Sequence, residues 1–132
     1  MSRLAPFPQA RPASPADAIC SAIAAHGLWK TRFRVSLRER DRLPDIALVR
    51  DETACECGRW LEQECMTALR GTPAHAEACR RHVDVHRAAA WVVELLLEGK
   101  DAAAAAALGH HGEFTRASVG LTTHLMRWQR SC

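Results

Sequence analysis

The sequence predicts an all-α protein, folded as an antiparallel four-helix bundle with one extra short helix. Alanine is abundant, tyrosine is absent and β-branched residues are sparse, so the composition favours helix over sheet. Apolar residues recur at helical intervals along several long segments. Brief polar turns separate these segments, which is typical of antiparallel helices in a bundle. The length of 132 residues fits one domain with a real core.

The N-terminal segment has a different composition from the rest of the chain. Residues 1–15 are rich in Pro, Ala and Arg and contain no continuous apolar run. We therefore expect a flexible leader that is neither a secretory signal nor an anchor. We expect residues 16–132 to form the folded domain. Its first helix should extend to about Asp41, with Ser14 as a candidate N-cap and Pro15 at the first helical position.

Proline and glycine mark the limits of the next two helices. The sequence predicts a continuous second helix that starts at Pro44 and runs through residues 45–70 to Gly71. A third helix should run from Pro73 to Glu98, because Gly99 follows in the position of a helix-ending glycine.

The C-terminal part of the chain predicts one short and one long helix. The alanine run from Ala102 to Leu108 forms the short helix, and an amphipathic pattern predicts the last helix from Phe114 to Arg130. His110 and His111 lie in the Gly-flanked break between them, where we expect them to face solvent. Four tryptophans fall at positions that indicate core packing: Trp29, Trp60, Trp91 and Trp128.

Charge and hydropathy exclude several classes of function. The formal net charge is +3, from 18 basic and 15 acidic residues that are interspersed, which does not favour nucleic-acid binding. No stretch approaches the roughly 18 apolar residues of a membrane span. We therefore expect a cytoplasmic protein, in which the six cysteines are thiols rather than disulfides.

A pair of histidines in the third predicted helix points to a metal ion. The stretch "CRRHVDVH" places His82 and His86 four residues apart, and therefore on one helix face. Two imidazoles at that spacing can share one ion. An isolated pair of this kind is more often a polar contact beside a solvated side chain, so the pair alone does not decide the matter.

Two other segments could supply further ligands. His26 lies on or beside the apolar face of the first helix, and the second helix carries Cys55 and Cys57 in "CECGRWLEQEC". These cysteines would lie about 200° apart around a helix, so they cannot both face one core. One of them, with three histidines, would complete a closed tetrahedral site inside the bundle.

Four dispersed segments together resemble a known family, the bacterial chemoreceptor zinc-binding (CZB) domain. They are "HGLWK", "CECGRWL", "HVDVHRAA" and "LLLEGKDAAAAAAL" with "FTRASVGL", and they span most of the chain in the family's order. The resemblance implies one zinc ion per chain, bound within a four-helix bundle by His26, Cys55, His82 and His86. It also implies that Cys57 is a small core residue.

Other residues near these motifs could support such a site. Asp51, one turn before Cys55, either orders a ligand or is a surface charge, and Trp60 could shield the ion. Cys79 lies one turn before His82 and, with His75, extends the histidine stripe. We expect Cys79 to pack as a small apolar group.

The resemblance also carries expectations about function. It implies a regulatory protein that responds to zinc availability, or to oxidants such as hypochlorous acid through the Cys55 thiolate. With neither a receptor coiled coil nor a cyclase domain in this chain, the output would lie in trans, on a chemoreceptor or a diguanylate cyclase. The family's pairing of bundles implies a homodimer. The alternative is a structural, zinc-storage or zinc-homeostasis protein with no signalling output.

We do not expect an enzyme. Three histidines and one cysteine fill the tetrahedron, whereas catalytic zinc keeps one position open for water. The metalloprotease pattern H-E-x-x-H is missing as well, since Val83 follows His82.

Overall fold

The fold is all-α in the part of the chain that the structure describes, as the composition predicted. A computed structural model describes residues 15–39, 43–64 and 70–131, and every regular element within them is helical. Residues 1–14 of the predicted leader, among them the candidate cap Ser14, lie outside the described residues, whereas Pro15 is helical. The elements are α1 (Pro15–Arg38), α2 (Ile46–Arg50), α3 (Glu56–Arg59) with a π-helical turn (Trp60–Glu64), α4 (Pro73–Leu97), α5 (Asp101–Ala107) and α6 (Glu113–Ser131).

The three long helices enclose the core. Helices α1, α4 and α6 contact one another pairwise, and α5 packs on all three. Phe33 of α1 meets Phe114 of α6 edge to face, with ring centroids 5.4 Å apart. The largest fully buried side chains include Ile19, Leu61, Leu96, Leu121 and Leu125. The arrangement places a long face of α4 against the rest of the molecule.

The predicted second helix is wrong as a continuous element. Helix α2 is capped by Asp45, whose side chain accepts the Ala47 N–H at 2.9 Å, and it ends at Arg50. The Asp51 carboxylate then accepts the backbone N–H of Thr53 at 3.0 Å and its hydroxyl at 2.6 Å. Such side-chain bonds compete with the helical ladder and favour a turn. Residues 51–55 are therefore not helical, and the expected four long helices are not all present.

Helix α4 has the boundaries that the sequence predicted to within a residue. Thr72 caps it by accepting the His75 N–H at 3.2 Å, and Pro73 occupies the first position. At the other end Gly99 adopts a φ of 75°, and the Lys100 N–H reaches back five residues to the Leu95 carbonyl at 2.8 Å. This Schellman ending needs a left-handed residue, which glycine supplies without steric cost.

One expected core residue is exposed. Trp60 and Trp128 are buried and Trp29 is partly buried, but Trp91 is 39% exposed. Trp91 lies one turn after the exposed Arg87 on the outer stripe of α4, so its position follows the solvent face of that helix. None of the helices in the described residues combines the length and apolarity that crossing a membrane requires.

Candidate metal centre

Three potential ligands converge where α4 meets the turn between α2 and α3. The Cys55 Sγ lies 3.1 Å from the His82 Nε2 and 3.4 Å from the His86 Nε2, and the two imidazole nitrogens are 3.0 Å apart. Both histidines are only 2% exposed, and Cys55 is partly buried. Within the described residues this is the one group of three or more potential ligands whose atoms all lie within 4.8 Å of one another.

The three ligand atoms and the distances between them fit a tetrahedrally coordinated metal ion. Bonds of about 2.0–2.1 Å to nitrogen and 2.3 Å to sulfur place ligand atoms roughly 3.4–3.6 Å apart. The triangle formed by the three atoms has sides of 3.0, 3.1 and 3.4 Å, so small side-chain adjustments would accommodate the ion. One thiolate with two imidazoles is a donor combination that suits zinc and related transition metals.

The ring of His86 is oriented by a backbone carbonyl. Its Nδ1 lies 2.8 Å from the Val49 oxygen, which can only accept, so Nδ1 carries the proton and Nε2 presents its lone pair to the centre. The Val49 carbonyl is accessible because α2 ends at Arg50. Burial lowers the pKa of His86, an effect that its bond to Val49 partly opposes. The neutral imidazole, which is the form that binds metals, is therefore favoured.

The Cys55 sulfur is held by the start of α3. The Gly58 N–H donates to Sγ at 3.2 Å. Burial raises the pKa of Cys55, and the N–H groups of Gly58 and Cys57 act in the opposite direction. A side chain at Gly58 would overlap the Glu52 carbonyl, and its Cβ would lie 3.1 Å from the His82 Cε1. Glycine is thus needed for this turn to approach α4 closely.

Helix α1 reaches the centre through an aromatic ring. The Trp29 ring packs edge to face on His86, with centroids 4.7 Å apart. The predicted ligand His26 precedes Trp29 by one helical turn in α1, and its side chain lies outside the part of the chain that the structure describes. The structure therefore brings three of the four predicted ligands together, and the role of His26 stays a prediction.

Asp51 lies in the turn that carries Cys55, whereas Trp60 packs against Trp128, and its shielding of the ion stays a prediction. Asp51 orders the turn that carries Cys55, and its bonds to the Thr53 hydroxyl and N–H lower the pKa of its carboxyl group. Trp60 is buried with its ring 5.7 Å from that of Trp128, centroid to centroid.

His75 and Cys79 lie apart from the three ligand atoms. The His75 Nε2 donates to the Leu61 carbonyl at 2.8 Å, so this nitrogen bears a proton and offers no lone pair. The Cys79 Sγ lies 3.7 Å from the same nitrogen. Of the remaining histidines singled out by the sequence, His110 and His111 are both exposed, with ring centroids 4.5 Å apart.

Sequence reasoning missed two features of this centre. The contact of Trp29 with His86 could have been predicted. Trp29 follows the predicted ligand His26 by one helical turn in "HGLWK" and therefore lies on the same side of its helix. The role of the Val49 carbonyl had no such signal in the sequence, since any residue supplies a carbonyl and only the break after α2 makes this one available.

Comparison with protein-family models gives no match, and neither the curated proteins nor the solved structures contain a significant relative of this chain. The geometry itself therefore carries the functional argument. What it establishes is a buried group of one cysteine and two histidines that can hold a metal ion.

Proposed function

We propose that this protein is a zinc-binding regulatory protein of the CZB type, in which Cys55, His82 and His86 hold one Zn²⁺ per chain. The observation that carries the proposal is the convergence of one sulfur and two imidazole nitrogens within 3.0–3.4 Å of one another on a buried face of α4. Zinc is the preferred ion because it favours tetrahedral sites built from cysteine and histidine.

His26 is the proposed fourth ligand. The motif "HGLWK" supports this assignment, as does the contact of Trp29 with His86, because it brings α1 to the edge of the centre. A fourth protein ligand closes the tetrahedron and leaves no position for a reactive water. The proposal therefore assigns no catalytic activity.

The proposed signal is a change at Cys55. Bound zinc would link the turn at residues 51–55 to α4 and favour the packed arrangement of these segments. Either zinc depletion or oxidation of the Cys55 sulfur would remove that link. An oxidised sulfur is a poor metal ligand, so the turn would separate from His82 and His86. In this proposal a cytoplasmic homodimer transmits the change in trans to a chemoreceptor or a diguanylate cyclase.

Metal analysis tests the site itself. Protein purified without added zinc is expected to contain one zinc per chain, and His82→Ala or His86→Ala should lose most of the affinity. His110→Ala is the matched control, because His110 is exposed and outside the centre. A wild-type chain without zinc, or a His82→Ala variant with unchanged stoichiometry and affinity, would refute the site.

Oxidant titration tests the signal. Hypochlorous acid is added to the zinc-loaded protein while a chromogenic chelator reports released zinc. Prompt release from the wild type and from Cys20→Ser, whose thiol is exposed and distant in sequence, would support oxidant sensing. Zinc that resists the oxidant but exchanges with a strong chelator would favour sensing of zinc availability instead.

A further inference from the structure

Three cysteines near the candidate centre lie in the hydrophobic core or pack against it. Cys57 is 1% exposed and belongs to the hydrophobic core, and Cys55 and Cys79 both pack against that core. Burial raises the pKa of the Cys57 thiol, and negative charge on Cys55 or Cys79 would raise it further. Core packing accounts for the burial of Cys57 but gives its thiol no chemical role.

A single residue separates Cys55 from Cys57, and the chain turns between them. Cys55 lies in a bend and Cys57 is the second residue of α3, so the chain between them is turned rather than extended. In a turned chain, Cα atoms two residues apart are roughly 5–6 Å from each other, which is the commonest separation across a disulfide. Two side chains at this spacing within one helix point in nearly opposite directions. That restriction does not apply to this pair, because Cys55 precedes α3.

A disulfide between Cys55 and Cys79 would require a larger structural rearrangement. Cys79 belongs to α4, a different element from the turn that carries Cys55, and its sulfur lies 3.7 Å from the His75 Nε2. A Cys55–Cys79 bond would have to join two packed elements. A Cys55–Cys57 bond needs only a local rearrangement at the start of α3.

We propose that Cys57 is the resolving cysteine of the centre, so that oxidation of Cys55 ends in an intrachain Cys55–Cys57 disulfide. The inference rests on the proposed function, because it takes the oxidation of Cys55 as its first step. In that step the Cys55 thiolate sulfur attacks the oxygen of hypochlorous acid. An S–O bond forms, the O–Cl bond breaks and chloride leaves, so sulfur is oxidised and chlorine is reduced by two electrons.

The second step closes the disulfide. The Cys57 sulfur attacks the sulfur of the Cys55 sulfenic acid, an S–S bond forms and the S–O bond breaks. The departing hydroxide leaves as water with the proton of the Cys57 thiol. A dithiol reductant returns two electrons and two protons and restores both thiols.

Burial separates the two steps in time. The Cys57 thiol is shielded from an external oxidant while α3 is packed, whereas Cys55 is partly exposed. Oxidation of Cys55 removes its contacts with His82 and His86 and its bond from the Gly58 N–H. Helix α3 and the π-helical turn that continues it have four and five residues, too few for a helix that is stable without its packing contacts.

Peptide mapping tests the proposal on the zinc-loaded full chain. Trypsin cleaves after Arg50 and Arg59, so residues 51–59 carry Cys55 and Cys57 together, and Cys79 falls on residues 71–80. After stoichiometric hypochlorous acid, residues 51–59 should lose the mass of two hydrogen atoms and resist alkylation, and a dithiol should reverse both changes. Cys79→Ala should behave like the wild type.

The Cys57→Ala variant gives the second measurement. It should still release zinc on oxidation, but Cys55 should react with dimedone as a sulfenic acid and then gain a second oxygen atom. Reductant should no longer restore zinc binding once that second oxygen has been added. Residues 51–59 cross-linked to residues 71–80 in the wild type, or carrying two separate oxygen adducts, would overturn the resolving role while leaving the proposed function intact. If Cys55 stays a free thiol while Cys20 is oxidised, oxidant sensing fails, and this inference fails with it.

Discussion

At the scale of single residues, His86 shows how several segments fix one ligand. The Val49 carbonyl holds one ring nitrogen, the Trp29 ring packs against the imidazole, and Cys55 and His82 face the other nitrogen. The helix alone determines only that His86 shares a face with His82. The tautomer and the ring orientation come from contacts with residues distant in sequence.

Asp51 is expected to support zinc binding by ordering the turn at residues 51–55 rather than by its negative charge. Asp51→Asn keeps an oxygen that can accept the Thr53 N–H, so zinc affinity should stay within about twofold of the wild type. Asp51→Ala removes the acceptor, loosens the turn that carries Cys55 and should weaken zinc about fivefold. Competition with a chelator of known affinity measures both variants. Equal losses in the two would show that the charge matters instead.

Cys57 is expected to make the fold sensitive to alkaline pH. Burial raises the pKa of its thiol far above the ordinary range, and nearby Cys55 and Cys79 add to the shift. Above about pH 8.5 an unfolded thiol loses its proton while the folded one keeps it. The free energy of unfolding therefore falls as pH rises, by up to about 1.4 kcal/mol per pH unit for this group, and its contribution is complete below that pH.

Urea unfolding under reductant at pH 7.5 and 9.5 measures this effect. Cys57→Ala should lose less stability between the two pH values than the wild type does, even if it starts lower because of the small cavity. Equal losses in the two proteins would show that Cys57 does not hold its proton in the folded chain.

At the scale of elements, the break between α2 and α3 builds the centre. A helix continuing through residues 51–55 would engage the Val49 carbonyl in its own ladder. Because the chain turns there, that carbonyl binds His86, and Cys55 lies opposite α4. The turn therefore supplies both the sulfur and the group that orients one imidazole.

Gly58→Ala is expected to damage this element. The added methyl would overlap the Glu52 carbonyl and press on the His82 ring, so the turn has to move away from α4. Stability should fall by about 1–3 kcal/mol, and zinc affinity should fall at least about tenfold. Urea unfolding and chelator competition measure the two effects.

Gly120→Ala in α6 is the matched control. Its nearest obstacle is the guanidinium end of Arg81, 2.8 Å from the new Cβ, which can swing aside. This variant should keep its zinc and gain up to about 1 kcal/mol from helix propensity. Similar losses in both variants would mean that the tight approach at Gly58 is not specific to the centre.

At the scale of the whole molecule, the centre lies where separate parts of the chain meet. Helix α4 contributes His82 and His86, the turn before α3 contributes Cys55, and α1 contributes the Trp29 ring. A bound ion would link α4 to the turn directly, and also to α1 through the proposed ligand His26. Its affinity should therefore appear in the stability of the entire fold.

Chelation is expected to lower the thermal midpoint. At free zinc one hundred times the dissociation constant, binding stabilises the folded state by about 2.7 kcal/mol, or about 10 °C for a chain of this size. A scan with and without EDTA measures the difference, and His86→Ala should show almost none. A wild-type midpoint that does not respond to EDTA or to added zinc would contradict the proposed coupling.

The order of most helices could be read from local signals. Thr72 with Pro73, and Gly99, mark the ends of α4 through capping and backbone preferences that act within a few residues. The prediction of a continuous second helix was wrong because it followed the apolar pattern, which suits a helix. The side-chain hydrogen bonds between Asp51 and Thr53 favour a turn instead. The prediction that Trp91 packs in the core was wrong because helical spacing alone does not determine which side of α4 faces solvent.

The sequence by itself determined an all-α chain and a helix that aligns His82 with His86, since both follow from local propensity and helical periodicity. Helical spacing left open which of Cys55 and Cys57 meets those histidines; the family resemblance implied Cys55, and the tertiary structure decided it, because the direction of each sulfur depends on where α3 begins. Only the tertiary structure decided that the Val49 carbonyl orients His86. Local rules set each residue's position along its own element, whereas the packing of distant elements decides which atoms meet.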